Sequence, residues 1–294
     1  MTPSDYEYLR KLLKERSGLD LSADKQYLVE SRLVPLARKA GLPGIAELVQ
    51  KMKGHAETLT SEVVEAMTTN ETFFFRDKIP FDHFRSTVLP TLMTTRAASR
   101  RIRIWCAAAS TGQEPYSLAM LLKEMATKLA GWRLEIIGTD ISTEVLEKAK
   151  AGVYSQFEVQ RGLPIQLLVK YFVQNGDTWQ ISPEIRAMVQ YKPLNLLPDF
   201  AHLGRFDIVF CRNVLIYFDQ DTKVGVLERI ARQMEPDGFL VLGAAETVVG
   251  LTDSFKPMTD KRGLYAPNAD AAKAPSALKL AAAAPRLAVV GGAR

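Results

Sequence analysis

Apolar residues recur at helical spacing through the first 69 positions. Tyr6, Leu9 and Leu13 follow Ser4-Asp5-Tyr6-Glu7, which has the form of a capping box, and Gly18 closes that helix. Ser22 is positioned to cap a second helix carrying Tyr27, Leu28 and Leu33. Gly41 and Pro43 end it, and Pro35 marks a kink or break within it. Ile45–Met52 and Leu59–Met67 give a third and a fourth helix, so residues 1–69 predict a small all-helical domain. The pattern then changes. Ile102–Ala109, Leu134–Thr139, Phe206–Cys211 and Phe239–Gly243 are continuous apolar runs of strand length, and Gly263–Ala266 completes the sheet. Helical patterns alternate with them at Glu114–Met125, Ser142–Ala149 and Asp219–Met234, the last followed by a turn at Pro236-Asp237-Gly238. Such alternation predicts an α/β domain with a parallel sheet buried on both faces.

Three stretches are less regular. Ile79–Thr95 reads as an amphipathic helix broken near Pro90. Tyr154–Tyr191 reads as an insertion in the main sheet, with a helical patch to Phe172, a hairpin turn at Asn175-Gly176-Asp177, and β-like runs at Trp179–Ile181 and Met188–Tyr191. Beyond Pro267 the chain is Ala/Pro/Lys-rich without periodicity, the mark of a flexible tail. The expected domains are therefore 1–69, helical; 70–78, a linker; 79–266, α/β with about 154–191 inserted; and 267–294, the tail. There is no internal repeat.

Candidate chemistry gathers at the first strand-turn-helix. Ser110-Thr111-Gly112 supplies the turn after the first strand, Glu114-Pro115 opens the helix, and the second strand ends on Asp140. A βαβ unit of this kind places an adenosine at the carboxyl ends of its strands, with the acid accepting from the ribose diol. The plainer alternative is a structural βαβ unit. Dinucleotide enzymes need bare N–H groups and several glycines for a pyrophosphate. Here Gly112 stands alone and Glu114 puts negative charge where a phosphate would lie. That charge suits a ligand bearing ammonium and sulfonium groups, such as S-adenosylmethionine, and argues against a nicotinamide dinucleotide. Phe73-Phe74-Phe75 fits neither period and suggests a segment wedged between domains, with Arg76 turned to a cleft. Tyr191–Leu197 could offer backbone and the Asn195 side chain to an adenine edge. Arg212-Asn213 follows a buried strand and so belongs at the ligand crevice.

Composition narrows the class. The 294 residues suffice for a large and a small domain. A net charge of +5, with 38 bases interspersed among 33 acids, favours acidic partners without requiring nucleic acid. Arg32, Arg38, Lys39, Lys51 and Lys53 lie on polar faces of the helical domain, either as ordinary solvated charge or as a dock for an acidic helical partner. Cys106 and Cys211 sit inside apolar runs and read as buried reduced thiols. Three scattered histidines give no ligand spacing, so no metal is expected. The charged, amphipathic start is unlike a secretory signal, and no apolar run approaches the roughly 20 residues of a membrane span. A cytoplasmic location is expected.

Taken together, Asn70-Glu71-Thr72 with Phe74-Phe75-Arg76-Asp77, Ala109–Ser117, Thr139-Asp140-Ile141, Asn195-Leu196-Leu197 and Cys211–Phe218 resemble the CheR-type chemotaxis receptor glutamate methyltransferases over about residues 5–266. The resemblance implies a helical domain joined to a class I S-adenosylmethionine-dependent methyltransferase domain bearing a small β-subdomain. It implies methyl transfer to glutamate γ-carboxylates on the cytoplasmic helical signalling region of chemoreceptors, with S-adenosylhomocysteine as product. Carried over by position, Asn70, Thr72 and Arg76 would contact the methionine end of the cofactor, Glu114 its amino group and Asp140 the ribose. Asn195, Leu196, Arg212 and Asn213 would complete the pocket, and Arg76 with Tyr217 would orient groups at the reaction centre. Apart from the resemblance, Arg32, Arg38 and Lys39 on the basic faces are the candidates for docking the substrate. Three positions depart from the family pattern: Gln113 replaces an acid, Gly243-Ala244-Ala245-Glu246 replaces Gly-His-Ser-Glu, and the turn at Asn175–Thr178 is short. The short turn suggests independence from a receptor's C-terminal pentapeptide tether.

The rival readings are a nucleic-acid methyltransferase and a non-catalytic module that senses the cofactor. Arg212-Asn213-Val214-Leu215 lacks the prolines typical of base-amino methylation, and Cys211 lacks the setting of a nucleophile. The retained Arg76, Glu114 and Asp140 speak against decay of activity. A dehydrogenase fits least.

Overall fold

The computed structural model describes residues 1–270; the expected tail from residue 271 onward lies outside them. In the N-terminal domain the first helix, α1 (Pro3–Ser17), is capped by Thr2, whose hydroxyl pairs with Asp5 in a reciprocal box. The expected Ser4–Glu7 box does not form. Proline suits the first helical position because it has no N–H to leave unpaired, so Pro3 starts the helix two residues earlier. The second helix, α2 (Gln26–Lys39), also begins away from its expected cap. Ser22 bonds the Asp24 carboxylate instead, and Lys25 precedes the helix without a side-chain cap. Pro35 lies inside an unbroken helix. The buried stripe is Val29, Leu33 and Ala37, while Tyr27 stands 62% exposed beside Lys25. With α3 (Ile45–Lys53) and α4 (Glu57–Met67), these helices enclose a core of their own.

The connecting helix is continuous through Pro90. It runs from α5 (Ile79–His83) through a π-helical turn at Phe84–Val88 into α6 (Leu89–Thr95). The widened turn, closed by Leu89 N donating to Phe84 O, takes up the strain that the proline ring would otherwise release as a break.

The α/β domain follows as β1 (Arg101–Ala107), α7 (Gln113–Glu124), β2 (Arg133–Asp140) and α8 (Thr143–Ala151). An inserted unit comprises β3 (Val153–Ser155), α9 (Gln156–Gln160), α10 (Ile165–Tyr171), β4 (Phe172–Asn175), β5 (Thr178–Ile181) and α11 (Pro183–Arg186). Its three strands form a separate antiparallel sheet in the order β3-β5-β4. The insertion ends sooner than expected, because β6 (Val189–Pro193) returns to the main sheet and pairs in parallel with β2. Then come β7 (Phe206–Cys211), α12 (Gln220–Arg232), β8 (Met234–Leu242), β9 (Phe255–Pro257) and β10 (Leu264–Pro267). The seven-stranded sheet has the order β6-β2-β1-β7-β8-β10-β9, parallel through β8 and antiparallel at β10 and β9. Pro236-Asp237-Gly238 is no turn between elements. Phe206 faces Met234 and Ile208 faces Phe239, so Glu235–Gly238 bulge out of β8 opposite Asp207. Arg96 bridges Asp207 and Asp237 across that bulge.

Two apolar clusters cover the two faces of the sheet, one around Ile104, Tyr116 and Phe210, the other around Trp105, Phe206 and Leu227. Because β1 has β2 on one side and β7 on the other, the order in which successive strands are laid down reverses beside it. A crevice opens there at the carboxyl ends of the strands.

Candidate active site

The loop after β1 is bent hard. Ala108, Ser110 and Gly112 all have positive φ, and a Cβ on Gly112 would fall 2.6 Å from Tyr191 Oη. Only glycine fits that last place. The bend aims Ser110 N at Asp140 Oδ2, 2.9 Å away, while Oδ1 accepts from Ser142 N at 3.0 Å. Asp140 therefore ties the ends of β1 and β2 together and retains lone pairs for further donors. Burial pushes its carboxyl above the ordinary value, against the backbone donors.

Glu114, in the first turn of α7, faces Arg212 at the end of β7. Arg212 Nη1 donates to Glu114 Oε2 at 2.7 Å, and its Nη2 donates to Asp77 Oδ2 at 2.7 Å and Arg76 O at 2.9 Å. Burial raises the Glu114 carboxyl, and Arg212 pulls it back only in part. Arg76 donates to Glu71 O at 2.6 Å and lies over the Phe73 ring. Phe74 and Phe75 are buried beneath. Phe74 packs on Tyr154 and Phe172 and Phe75 on Phe81, so the run is buried in the core of the α/β side and not wedged between the two domains, and it holds Arg76 at the cleft.

The helical domain closes the cleft from above. Asn195 Nδ2 donates to Arg16 O at 2.6 Å, Asp20 N donates to Tyr217 O at 2.9 Å, and Lys14 pairs with Asp219 at 2.6 Å. Glu65, near the end of α4, accepts from Ser142 Oγ, Thr143 Oγ1 and Glu144 N at 2.8–3.1 Å, on the first turn of α8. Burial opposes its ionisation, yet these donors hold its carboxyl below the ordinary value.

The result is a pocket of about 1020 Å³ including its mouth, lined by Asn70, Thr72, Arg76, Glu114, Asp140, Asn195, Leu196, Arg212, Asn213 and Tyr217. All the residues singled out for cofactor and reaction thus border one cavity. The Asn195 amide donates to Arg16 O and accepts from Leu197 N, and keeps one N–H and one lone pair for a ligand. One expectation changes in detail. Arg32 is no free docking group: its guanidinium donates to Met67 O, Thr68 O and Thr69 Oγ1, clamping the start of the linker. Arg38 and Lys39 are exposed at the end of α2 and border no part of the cavity. Sequence reasoning missed Ser17, Leu19 and Ser110 as lining residues. For Ser110 the signal was present, since it begins the turn; for Ser17 and Leu19 no local pattern marks a helix end as a roof.

This donor set fits S-adenosylmethionine. Arg212 pairs with one oxygen of Glu114, whose other oxygen can meet an ammonium group; Asp140 can accept hydroxyl donors, and Ile141, Leu194 and Leu196 beside it provide apolar walls. A pyrophosphate would meet Glu114 instead.

Residues 70–264 match the family described as CheR methyltransferase, SAM binding domain, and residues 4–68 match the CheR methyltransferase all-alpha domain. The chain belongs to the CheR methyltransferase family. It is 42% identical over 265 residues to chemotaxis protein methyltransferase 1 of Pseudomonas aeruginosa, covering 89% of this chain and 96% of that protein. It is 40% identical to chemotaxis protein methyltransferase Cher2 of Pseudomonas putida, covering 88% and 96%. The match to chemotaxis protein methyltransferase 1 of Vibrio cholerae is also 40% identical, covering 90% and 97%. Among the described residues, no cluster of three or more His, Cys, Asp or Glu could hold a metal, and no helix is long and apolar enough to cross a membrane.

Proposed function

We propose that this CheR-family methyltransferase esterifies glutamate γ-carboxylates on the cytoplasmic helical region of chemoreceptors, using S-adenosylmethionine and acting in the cytoplasm. The observation that carries the reading is the pocket itself, where buried carboxylates at Glu114 and Asp140 flank a cavity bordered by Arg76 and Tyr217. When bound, S-adenosylmethionine supplies an electrophilic methyl group on a sulfonium.

The residues of the chain do the rest. A glutamate side chain, with reference pKa ≈ 4.3, is already ionised at neutral pH, so no general base is needed. Catalysis then reduces to alignment and exclusion of water, because the charges of nucleophile and sulfonium cancel in the transition state and water favours the separated ions. The closed helical roof excludes that water. Glu114 and Asp140 hold the donor, with Asn70 and Thr72 at its methionine end. A tight bidentate Arg76 clamp on the substrate would quench the nucleophile. Arg76 is therefore assigned to the donor's carboxylate, and Tyr217 to steering one oxygen of the substrate.

Arg38 and Lys39, exposed on α2, are assigned to docking the acidic receptor helix. The turn between β4 and β5 contains only Gly176 and Asp177, which supports action without a pentapeptide tether.

Transfer of tritiated methyl to receptor-bearing membranes, with base-labile label diagnosing an ester, tests the activity. Arg76→Ala and Tyr217→Phe should lower turnover with the fold intact; full kcat in Tyr217→Phe would remove that residue's role. Micromolar binding of a receptor-tail pentapeptide would refute tether independence.

A further inference from the structure

Glu246 is buried in the turn after β8, and its carboxylate accepts four backbone N–H groups. Oε2 accepts from Gly243 at 2.7 Å and Asn213 at 2.8 Å; Oε1 accepts from Val214 at 3.0 Å and Leu215 at 2.8 Å. Three of these donors are consecutive residues of the loop after β7. Successive N–H groups converging on one anion make a concavity that a neutral side chain does not fill equally well. The loop needs such a hold. Asn213 sits at φ 57, in the left-handed region that non-glycine residues rarely occupy. The same short loop carries Arg212, Asn213, Val214 and Tyr217 to the pocket wall. The carboxylate is also closely fitted from behind, since a Cβ on Gly243 would fall 2.7 Å from Oε2 and 3.0 Å from Asn213 N.

We propose that Glu246 is a positioning residue for methyl transfer, its carboxylate holding the Asn213–Leu215 backbone in the one conformation that presents Tyr217 to the substrate. This rests on the transferase reading above. The anchor acts through acceptor character and not through bulk. Glu246→Gln preserves size and shape, but its NH2 group must then face two backbone N–H groups in place of an oxygen. A residue that merely filled space would tolerate that exchange.

The test is a double-mutant cycle on the full chain with Tyr217→Phe, measuring kcat on receptor membranes and affinity for S-adenosylhomocysteine. Glu246→Gln should lower kcat about tenfold or more with Tyr217 present, and less than about threefold in the Tyr217→Phe background, because the two act as a unit. Amide exchange at Asn213, Val214 and Leu215 should quicken in Glu246→Gln, a readout independent of turnover. An equal fall in both backgrounds, or wild-type kcat in Glu246→Gln, overturns the proposal. If Glu246→Gln does not fold, Glu246→Asp takes its place under the same criteria, since it keeps the charge but draws the oxygens back from the four N–H groups. A wild-type protein that binds S-adenosylhomocysteine yet transfers no methyl would instead fault the underlying reading.

Discussion

Arg212 and Glu114 meet at 2.7 Å in the floor of the cleft, and Asp77 takes the other end of the same guanidinium. Removing the cation leaves Glu114 buried without a counter-charge. Arg212→Ala should therefore destabilise the protein by about 3–5 kcal/mol, measured by chemical denaturation. Arg212→Lys should recover only part of this, because a single ammonium cannot span both carboxylates with the fork geometry of arginine. Full stability in Arg212→Ala would mean that the pair contributes nothing to the folded state.

The acidic lining gives cofactor affinity a pH dependence of defined sign. Burial raises the carboxyls of both Glu114 and Asp140. For the free protein, their contribution to stability grows as pH falls through that raised range and is lost as pH rises through it. A cationic ligand favours the ionised forms, so its affinity runs the other way. S-adenosylmethionine binding should weaken as pH is lowered from neutrality into the raised carboxyl range, with proton release on binding there. Calorimetry in two buffers of different ionisation enthalpy would register that release.

Glu65 latches the helical domain onto the first turn of α8, where a negative charge also meets the positive end of the helix dipole. Glu65→Gln should cost about 1–2 kcal/mol by analogy with helix-terminal caps and charges. Because its carboxyl is held below the ordinary value, the latch persists above the usual carboxylate range and fails as pH drops through the lowered value. Limited proteolysis within residues 67–72 should accelerate in the variant.

Arg32 and the pair Arg38–Lys39 separate two effects that a basic helix would otherwise blur. Arg32→Ala frees Met67–Thr69, the approach to Asn70 and Thr72, and should raise Kd for the cofactor. Reversing charge at Arg38 and Lys39 should leave that Kd unchanged while raising KM for receptor membranes. Equal cofactor affinity in all variants would show that the clamp does not reach the pocket.

What the chain disclosed before folding follows the range of the forces involved. Asp140 and Arg212 were legible because each ends a buried apolar strand, and a polar group there has few places to go other than the crevice. Element boundaries were less so. Thr2-x-x-Asp5 and Ser4-x-x-Glu7 have comparable side chains, and only the missing N–H of Pro3 decides between them. The bulge at Glu235–Gly238 has the composition of a turn, and its pairing with β7 depends on Arg96, about 140 residues away in sequence, an ion pair that no local pattern announces. Arg32 carried a correct signal of importance but a misleading partner, and Asn195 has a partner that no local pattern shows. A hydrogen bond from Asn195 to a carbonyl in α1 exists only once two domains have docked.

That bond from Asn195 to Arg16, with Ser17 and Leu19 forming part of the ceiling, makes the helical domain a wall of the donor's own chamber. Grafting the first 69 residues of a relative onto this chain would thus transplant more than receptor choice: avidity for the methyl donor would travel with the graft.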